Sequence, residues 1–282
     1  MRTSSNPVFR NLPKQSGGGY ASFGSAAAGA GAVTQQYGSP QGQPQPYQTG
    51  PQQRAMTIDD VVTKTATTLG VLTVAAIVSY VLASNNPDLA PMFVIGGGLI
   101  GFVLVLVATF GRKMDSAPLV LAYAAFEGVF LGALSLMFTS IEFGGVGGSA
   151  LIAQAVLGTF GVFFGMLVVY KTGAIRVTPK LTRWVVGALF GVLALAVVNL
   201  LAGFFIDGGL GLRDGGPIAI LFSLVVIGVA AFTLLLDFDM ADEAIRRGAP
   251  AKFAWYIAFG LLLTVVWLYL EILRLLSYFQ GE

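Results

Sequence analysis

Long apolar runs separated by short polar joints dominate this chain after about residue 55. A membrane-spanning α-helix needs about 20 mostly apolar residues to cross the hydrocarbon core of a bilayer. Seven such runs occur, at about 61–83, 91–110, 117–138, 150–170, 184–205, 217–236 and 253–278. The pattern predicts an all-α polytopic membrane protein with a seven-transmembrane-helix bundle. The alternative is six spans and a partly inserted last helix.

The joints between the runs contain residues that end helices. They include Asn85-Asn86-Pro87, Gly111-Arg112-Lys113, Gly144-Gly145, Thr178-Pro179 and Gly215-Gly216-Pro217. Thr57 precedes the first run and two aspartates follow it, so we expect a helix N-cap there, with acids at the positive end of the helix dipole. The fifth run meets Gly203 and then Asp207-Gly208-Gly209, which leaves its end open.

Residues 1–55 differ from the rest in composition. They consist mainly of Gly, Gln, Ser, Pro and Ala with scattered tyrosines. Such a segment buries too little apolar area to offset its chain entropy, so we expect a disordered cytoplasmic tail. Residues 56–282 then form the transmembrane domain. The tail is either a spacer or a docking segment for a partner such as a membrane protease. It lacks the apolar core of a signal peptide.

The composition narrows the chemistry. The chain is 55% hydrophobic and 11% charged, against about 25% charged residues in soluble domains. A net charge of +2 gives no reason to expect nucleic acid. Histidine and cysteine are both absent, which removes the commonest nucleophile–base pairs and zinc ligands. We therefore expect no enzyme activity, cofactor or resident metal, and any proton chemistry must use carboxylates.

Lysine and arginine are distributed unevenly among the joints, and this bias predicts orientation. They are concentrated before the first run and in the second, fourth and sixth joints, whereas the first and third joints have none and the fifth has only Arg213. The prediction is a plasma (inner) membrane protein with its N-terminus in the cytoplasm and its C-terminus outside.

Glycine recurs at four-residue spacing inside four of the runs. Small residues one helical turn apart allow helix backbones to approach closely in lipid. The pairs predict a compact bundle: Gly97/Gly101, Gly128/Gly132, Gly161/Gly165 and Gly187/Gly191.

Glu127 is the clearest anomaly, because it lies in the middle of the third run. An unpaired ionised carboxylate in hydrocarbon costs several kcal/mol, so this side chain must face the interior, be protonated or be paired. It is either a proton or cation site along a pathway or a neutral acid in an interhelical hydrogen bond.

Glu271 and Arg274 lie three residues apart on the last run and share a helix face. A local ion pair near the outer interface is the favoured interpretation. In the alternative interpretation, Arg274 pairs with Glu127 or with a residue of another helix, and this contact closes a path through the bundle.

A cluster of acids follows the sixth run. Asp237 and Asp239 are close enough to compete for protons if they are buried together. Such a cluster attracts cations or senses pH. We interpret Asp242 and Glu243 as a solvated helix end offset by Arg246 and Arg247, which leaves Asp237 as the main candidate.

Short motifs in three runs carry a resemblance. Phe126-Glu127-Gly128 with Leu131-Gly132 stands in the third run, Leu236-Asp237 ends the sixth, and Leu268-Tyr-Leu-Glu271 with Leu-Arg-Leu-Leu stands in the last. In this order they resemble the Bax inhibitor/YccA-like family over about residues 58–278. The opening Ser5-Asn-Pro-Val-Phe9 resembles an actinobacterial branch of it.

The resemblance implies a seven-helix bundle that leaks calcium ions in a pH-dependent way. In the family, an aspartate on the sixth helix and one on the seventh share a proton and latch a pore. Asp237 matches the first position, with Asp239 as runner-up. The local motif puts the second at Glu271, whereas counting back from Arg274 puts it at Thr264, and we favour Glu271. Some relatives associate with membrane proteases.

Two functions follow from these observations. The first is cation permeation, of Ca²⁺ or H⁺, gated by carboxylate protonation at Asp237 and Glu127. The second is a non-transporting regulator that binds a membrane protease or other membrane proteins through the N-terminal tail.

Overall fold

The computed structural model describes residues 54–139, 148–206 and 209–280, and within them the chain forms seven α-helices. All seven are long and apolar enough to cross a membrane, which confirms the predicted all-α, seven-span class. The helices are α1 (Ile58–Asn85), α2 (Leu89–Phe110), α3 (Ala117–Thr139), α4 (Gly148–Thr172), α5 (Pro179–Ala202), α6 (Pro217–Arg246) and α7 (Phe253–Gln280).

Some predictions concern residues outside the described ranges. These are the tail up to residue 53, the glycines of the third joint, the opening motif at residues 5–9, and Asp207 with Gly208.

The predicted cap at Thr57 is confirmed. Its hydroxyl accepts a hydrogen bond from the backbone N–H of Asp60, and the Asp60 carboxylate accepts one from the Thr57 N–H at 3.0 Å. This reciprocal capping box satisfies two backbone donors that would otherwise lack partners. Thr178 caps α5 in a similar way and Pro179 follows it, so α5 begins five residues before the predicted start at 184.

The predicted end of the sixth span at residue 236 is not the end of the helix. α6 continues through the acid cluster to Arg246. Hydropathy shows where a helix leaves the hydrocarbon of the membrane. The helix itself continues as long as its residues have high helix propensity. Alanine, methionine, glutamate and arginine are good helix formers, and the ion pairs Arg246–Asp242 and Arg247–Glu243 span one turn each.

α7 is the centre of the bundle. It contacts α1, α3, α4 and α6, and 72% of its apolar span is buried. Its inward residues, such as Phe259, Leu262 and Leu268, are at most 2% exposed. α5 is the opposite case, because among the described helices it contacts α6 alone and only 11% of its span is buried.

Two of the four glycine pairs make the predicted close contacts. A methyl group added at Gly132 would lie 2.1 Å from the carbonyl oxygen of Ala76, and one added at Gly128 would lie 2.3 Å from that of Leu72. α1 and α3 therefore touch backbone to backbone. Gly97 and Gly101 of α2 similarly allow α3 to approach closely.

The other two pairs do not follow the prediction. Added methyl groups at Gly161, Gly165, Gly187 and Gly191 would meet no atom within 4 Å. Four-residue spacing shows that a helix can approach a neighbour closely but does not say which helix faces will meet.

We expect Gly132→Ala to destabilise the protein, because the new methyl group meets a backbone oxygen that cannot move without shifting α1. Overpacking of this kind costs on the order of 1–3 kcal/mol. The measurement is the unfolding midpoint of the detergent-solubilised protein. The matched control is Gly161→Ala, which enters open space and should leave the midpoint unchanged or raised. Equal midpoints for the two variants would contradict the α1–α3 contact.

Candidate functional site

Asp237 lies between α6 and α7 and meets Thr264. The hydroxyl oxygen of Thr264 is 2.8 Å from one carboxylate oxygen of Asp237. Thr264 is 6% exposed and Asp237 is half-buried. The pair is a direct hydrogen bond between neighbouring antiparallel helices in a mostly apolar core.

The Thr264 hydroxyl has a second partner, the Gly260 carbonyl oxygen at 3.1 Å. A hydroxyl group holds one proton and can also accept a hydrogen bond. When Asp237 is ionised, Thr264 donates its proton to the carboxylate. When Asp237 is protonated, the acid donates to Thr264, and Thr264 donates to Gly260. The same three groups therefore satisfy either protonation state.

A cavity of about 210 Å³ adjoins Asp237. Its walls come from the end of α2, the following joint, α6 and α7, and they include Thr109, Met114, Tyr256, Phe259 and Leu263. A water molecule in the liquid occupies about 30 Å³, so the cavity has room for several. The carboxylate therefore faces a space in which water or a hydrated cation fits.

Glu127 lies where α3 meets α2. One of its carboxylate oxygens is 2.8 Å from the position that a Gly101 Cβ would occupy. The hydroxyl of Tyr123, one turn earlier on α3, hydrogen-bonds to the carboxylate. Glycine at position 101 makes the space that Glu127 fills. Its partner is thus a tyrosine on its own helix and not Arg274.

An aromatic pair separates the two acids. The rings of Tyr123 and Phe259 meet edge to face, with centroids 5.2 Å apart, and both residues are at most 3% exposed. Tyr123 binds Glu127, and Phe259 forms part of the wall of the Asp237 cavity. The described conformation therefore places a packed aromatic contact between the surroundings of the two carboxylates.

Glu271 and Arg274 form the local ion pair that the sequence favoured, at 2.6 Å. Glu271 is 3% exposed, and its other carboxylate oxygen accepts a hydrogen bond from Ser223 of α6 at 2.8 Å. Because both oxygens have donors, this buried charge is compensated in place and ties α7 to α6.

The other acids of the cluster face elsewhere. Asp239 and Asp242 accept hydrogen bonds from the Tyr170 hydroxyl of α4, at 3.4 and 3.2 Å. Asp237 and Asp239 are not buried together, because residues two apart on a helix point to different sides: Asp237 meets Thr264 of α7, whereas Asp239 faces Tyr170 of α4. Asp242 and Glu243 pair with Arg246 and Arg247 at the exposed helix end, as predicted.

Several polar partners were not predicted. Tyr123 precedes Glu127 by four residues, so helical spacing already places them on one face. Ser223 and Tyr170 carry no such signal, since a single hydroxyl in an apolar run usually bonds to its own helix.

Seven apolar helices, one of them central and largely buried, define a multi-pass membrane protein. The sequence profile of the Bax inhibitor 1 like family matches residues 6–281, and the chain belongs to that family. The comparison with curated proteins gives no match.

Of the two last-helix positions considered as the partner of Asp237, the structure brings the less favoured one into contact with it. The side chain that meets Asp237 is Thr264, the position reached by counting back from Arg274. Glu271 lies seven residues further along α7 and binds Ser223 and Arg274 instead. The motif around Glu271 therefore does not mark the residue that contacts Asp237.

We expect Thr264→Val to destabilise the protein by about 1–3 kcal/mol, because the change keeps the shape but removes the one side-chain donor that Asp237 has among the described residues. The measurement is chemical unfolding in detergent at neutral pH. Thr264→Ser should retain the contact and stay near wild type. The control, Thr233→Val, removes a hydroxyl that bonds only to the Val229 carbonyl of its own helix. If Thr233→Val lowered the free energy of unfolding as much as Thr264→Val, the Asp237–Thr264 hydrogen bond would have no special role in stability.

Proposed function

We propose that the protein conducts cations through its helix bundle and that protonation of Asp237 closes the path. The observation that carries this proposal is a carboxylate that faces both a cavity and a hydroxyl relay inside a mostly apolar bundle. Ca²⁺ binds oxygen ligands, chiefly carboxylates, carbonyl groups and water. Calcium is therefore the proposed cargo, and the family resemblance implies the same ion.

The direction of the pH response follows from the cost of charge in a dry core. An ionised carboxylate without water or a cation costs several kcal/mol in such a place. Neutral Asp237 can donate its proton to Thr264, which in turn donates to Gly260. Protonation therefore stabilises the closely packed arrangement, whereas ionisation favours hydration of the cavity and entry of a cation. Acid closes the path and alkali opens it.

Tyr123 and Phe259 form the proposed constriction, since they lie packed between the surroundings of Glu127 and Asp237. Glu127 then offers a second carboxylate to the same ion. Movement of α7 relative to α3 would separate the two rings and join the two sites.

Calcium flux into liposomes tests the mechanism. Wild-type protein should give a flux that falls as the pH is lowered. Asp237→Asn mimics the neutral acid, so its flux should be at least tenfold lower and nearly independent of pH. Glu127→Gln should lower the flux while keeping the pH dependence that Asp237 supplies. The measurement is the fluorescence of an enclosed calcium indicator after external calcium is added.

Glu243→Gln is the control for general charge effects, because Glu243 is an exposed partner of Arg247. Its flux should match wild type. Absence of flux from the wild type, or a full pH response in Asp237→Asn, would contradict the proposal and favour a non-transporting regulator.

We also propose the orientation that the basic joints predict, in the plasma membrane with the N-terminus in the cytoplasm. The absence of cysteine makes this easy to test with single cysteines. In intact cells, a membrane-impermeant maleimide should label Asn86→Cys in the α1–α2 joint. Lys113→Cys in the α2–α3 joint should react only after lysis. The reverse pattern would invert the proposed topology.

A further inference from the structure

Two adjoining crevices lie along the beginning of α5. The upper crevice, of about 760 Å³, is bounded by Thr178, Thr182 and Arg183 on one side and by Arg246 and Arg247 at the end of α6 on the other. The lower crevice, of about 680 Å³, shares Arg183 and runs along the face of α5 alone, past Lys180 and Trp184 to Gly187 and Ala188. Together they form an open channel along one flank of α5.

Two cations near the beginning of α5 favour the binding of an anion. Lys180 and Arg183 have no carboxylate partner within the part of the chain that the structure describes, and the described hydrogen bond of Arg183 goes to the Pro179 carbonyl of its own helix. Lys180 lines the lower crevice, and Arg183 lines both. The other two cations of the upper crevice, Arg246 and Arg247, are paired with Asp242 and Glu243, so Lys180 and Arg183 are the ones left for an anion.

The lower crevice has the properties of a site for a hydrocarbon chain. Trp184 is 71% exposed one turn after Lys180, and tryptophan is enriched at the membrane–water interface. Beyond it, Gly187 and Gly191 have nothing within 4 Å of an added methyl group. α5 contacts α6 alone among the described helices, so this flank is not covered by the bundle.

We propose that this channel binds an anionic phospholipid. Along α5 the cations come first, then Trp184, and then the open glycine face. This order matches the phosphate, the interfacial region and the acyl chain of a phospholipid. Basic pockets between transmembrane helices at the cytoplasmic side recognise such headgroups. A free phosphate would use only the upper crevice and would leave the glycine face unexplained. The lipid is separate from the Asp237 site and does not depend on cation conduction.

Trp184 supplies a local probe. Trp255→Phe and Trp267→Phe leave it as the single tryptophan of the chain. The protein is reconstituted into phosphatidylcholine vesicles that contain a minor fraction of brominated phosphatidylglycerol or, in parallel, the same fraction of brominated phosphatidylcholine. Because bromine quenches tryptophan at contact, the ratio of the two quenching efficiencies reports selective binding beside Trp184. We expect brominated phosphatidylglycerol to quench several-fold more strongly.

Lys180→Gln and Arg183→Gln should each reduce the preference about fivefold, the effect of one cation near a lipid phosphate. Gly187→Leu should also reduce the preference, because the leucine side chain fills the part of the lower crevice proposed for the acyl chain. Arg112→Gln and Lys113→Gln, which remove two cations from the α2–α3 joint, are matched controls and should leave the preference unchanged. Native mass spectrometry of the unmodified chain should independently retain phosphatidylglycerol in preference to phosphatidylcholine.

Equal quenching by the two lipids would overturn the proposal, as would a preference that survives both Lys180→Gln and Arg183→Gln. Millimolar inorganic phosphate should leave the preference largely intact. Abolition of the preference by phosphate, with no effect of Gly187→Leu, would assign the crevice to a soluble anion and also overturn it.

Discussion

A polar group in the hydrocarbon of a bilayer must find its partner inside the protein, and this constraint determines how the bundle is arranged. α7 is central because it carries Glu271, Arg274 and Thr264, and its neighbours supply what these side chains need. Ser223 of α6 completes the hydrogen bonds of Glu271, and Asp237 of α6 meets Thr264. α5 makes no described side-chain hydrogen bond to another helix, and it has the fewest neighbours of the described helices.

The same constraint explains how far the sequence could predict the fold. The number of spans follows from apolar length, which is a local property, and so does the cap at Thr57. The end of α6 was predicted ten residues too early because hydropathy and helix propensity diverge at a membrane surface. The glycine pairs show a similar limit. Gly128 and Gly187 have the same local pattern, but only Gly128 faces another helix closely.

The site was harder to predict because it depends on relative rotation and register. Asp237 and Glu127 stood out as charges in apolar runs. Thr264 did not, since threonine in a helix commonly bonds to its own backbone, as it also does here with Gly260. Its role emerges only when α6 and α7 are aligned so that positions 237 and 264 meet. Local similarity around Glu271 could not reveal that alignment, which brings Ser223 to Glu271 instead.

Threonine opposite Asp237 has a consequence for the proposed mechanism. Two carboxylates at such a position would share a proton and titrate as a coupled pair. A carboxylate beside a hydroxyl binds its proton alone, so the pH response of this site should be that of a single group without cooperativity. The hydroxyl relay to Gly260 also satisfies neutral Asp237 without a second acid. In the proposed mechanism, the closed arrangement of this chain therefore depends on one proton and one rotatable hydroxyl group.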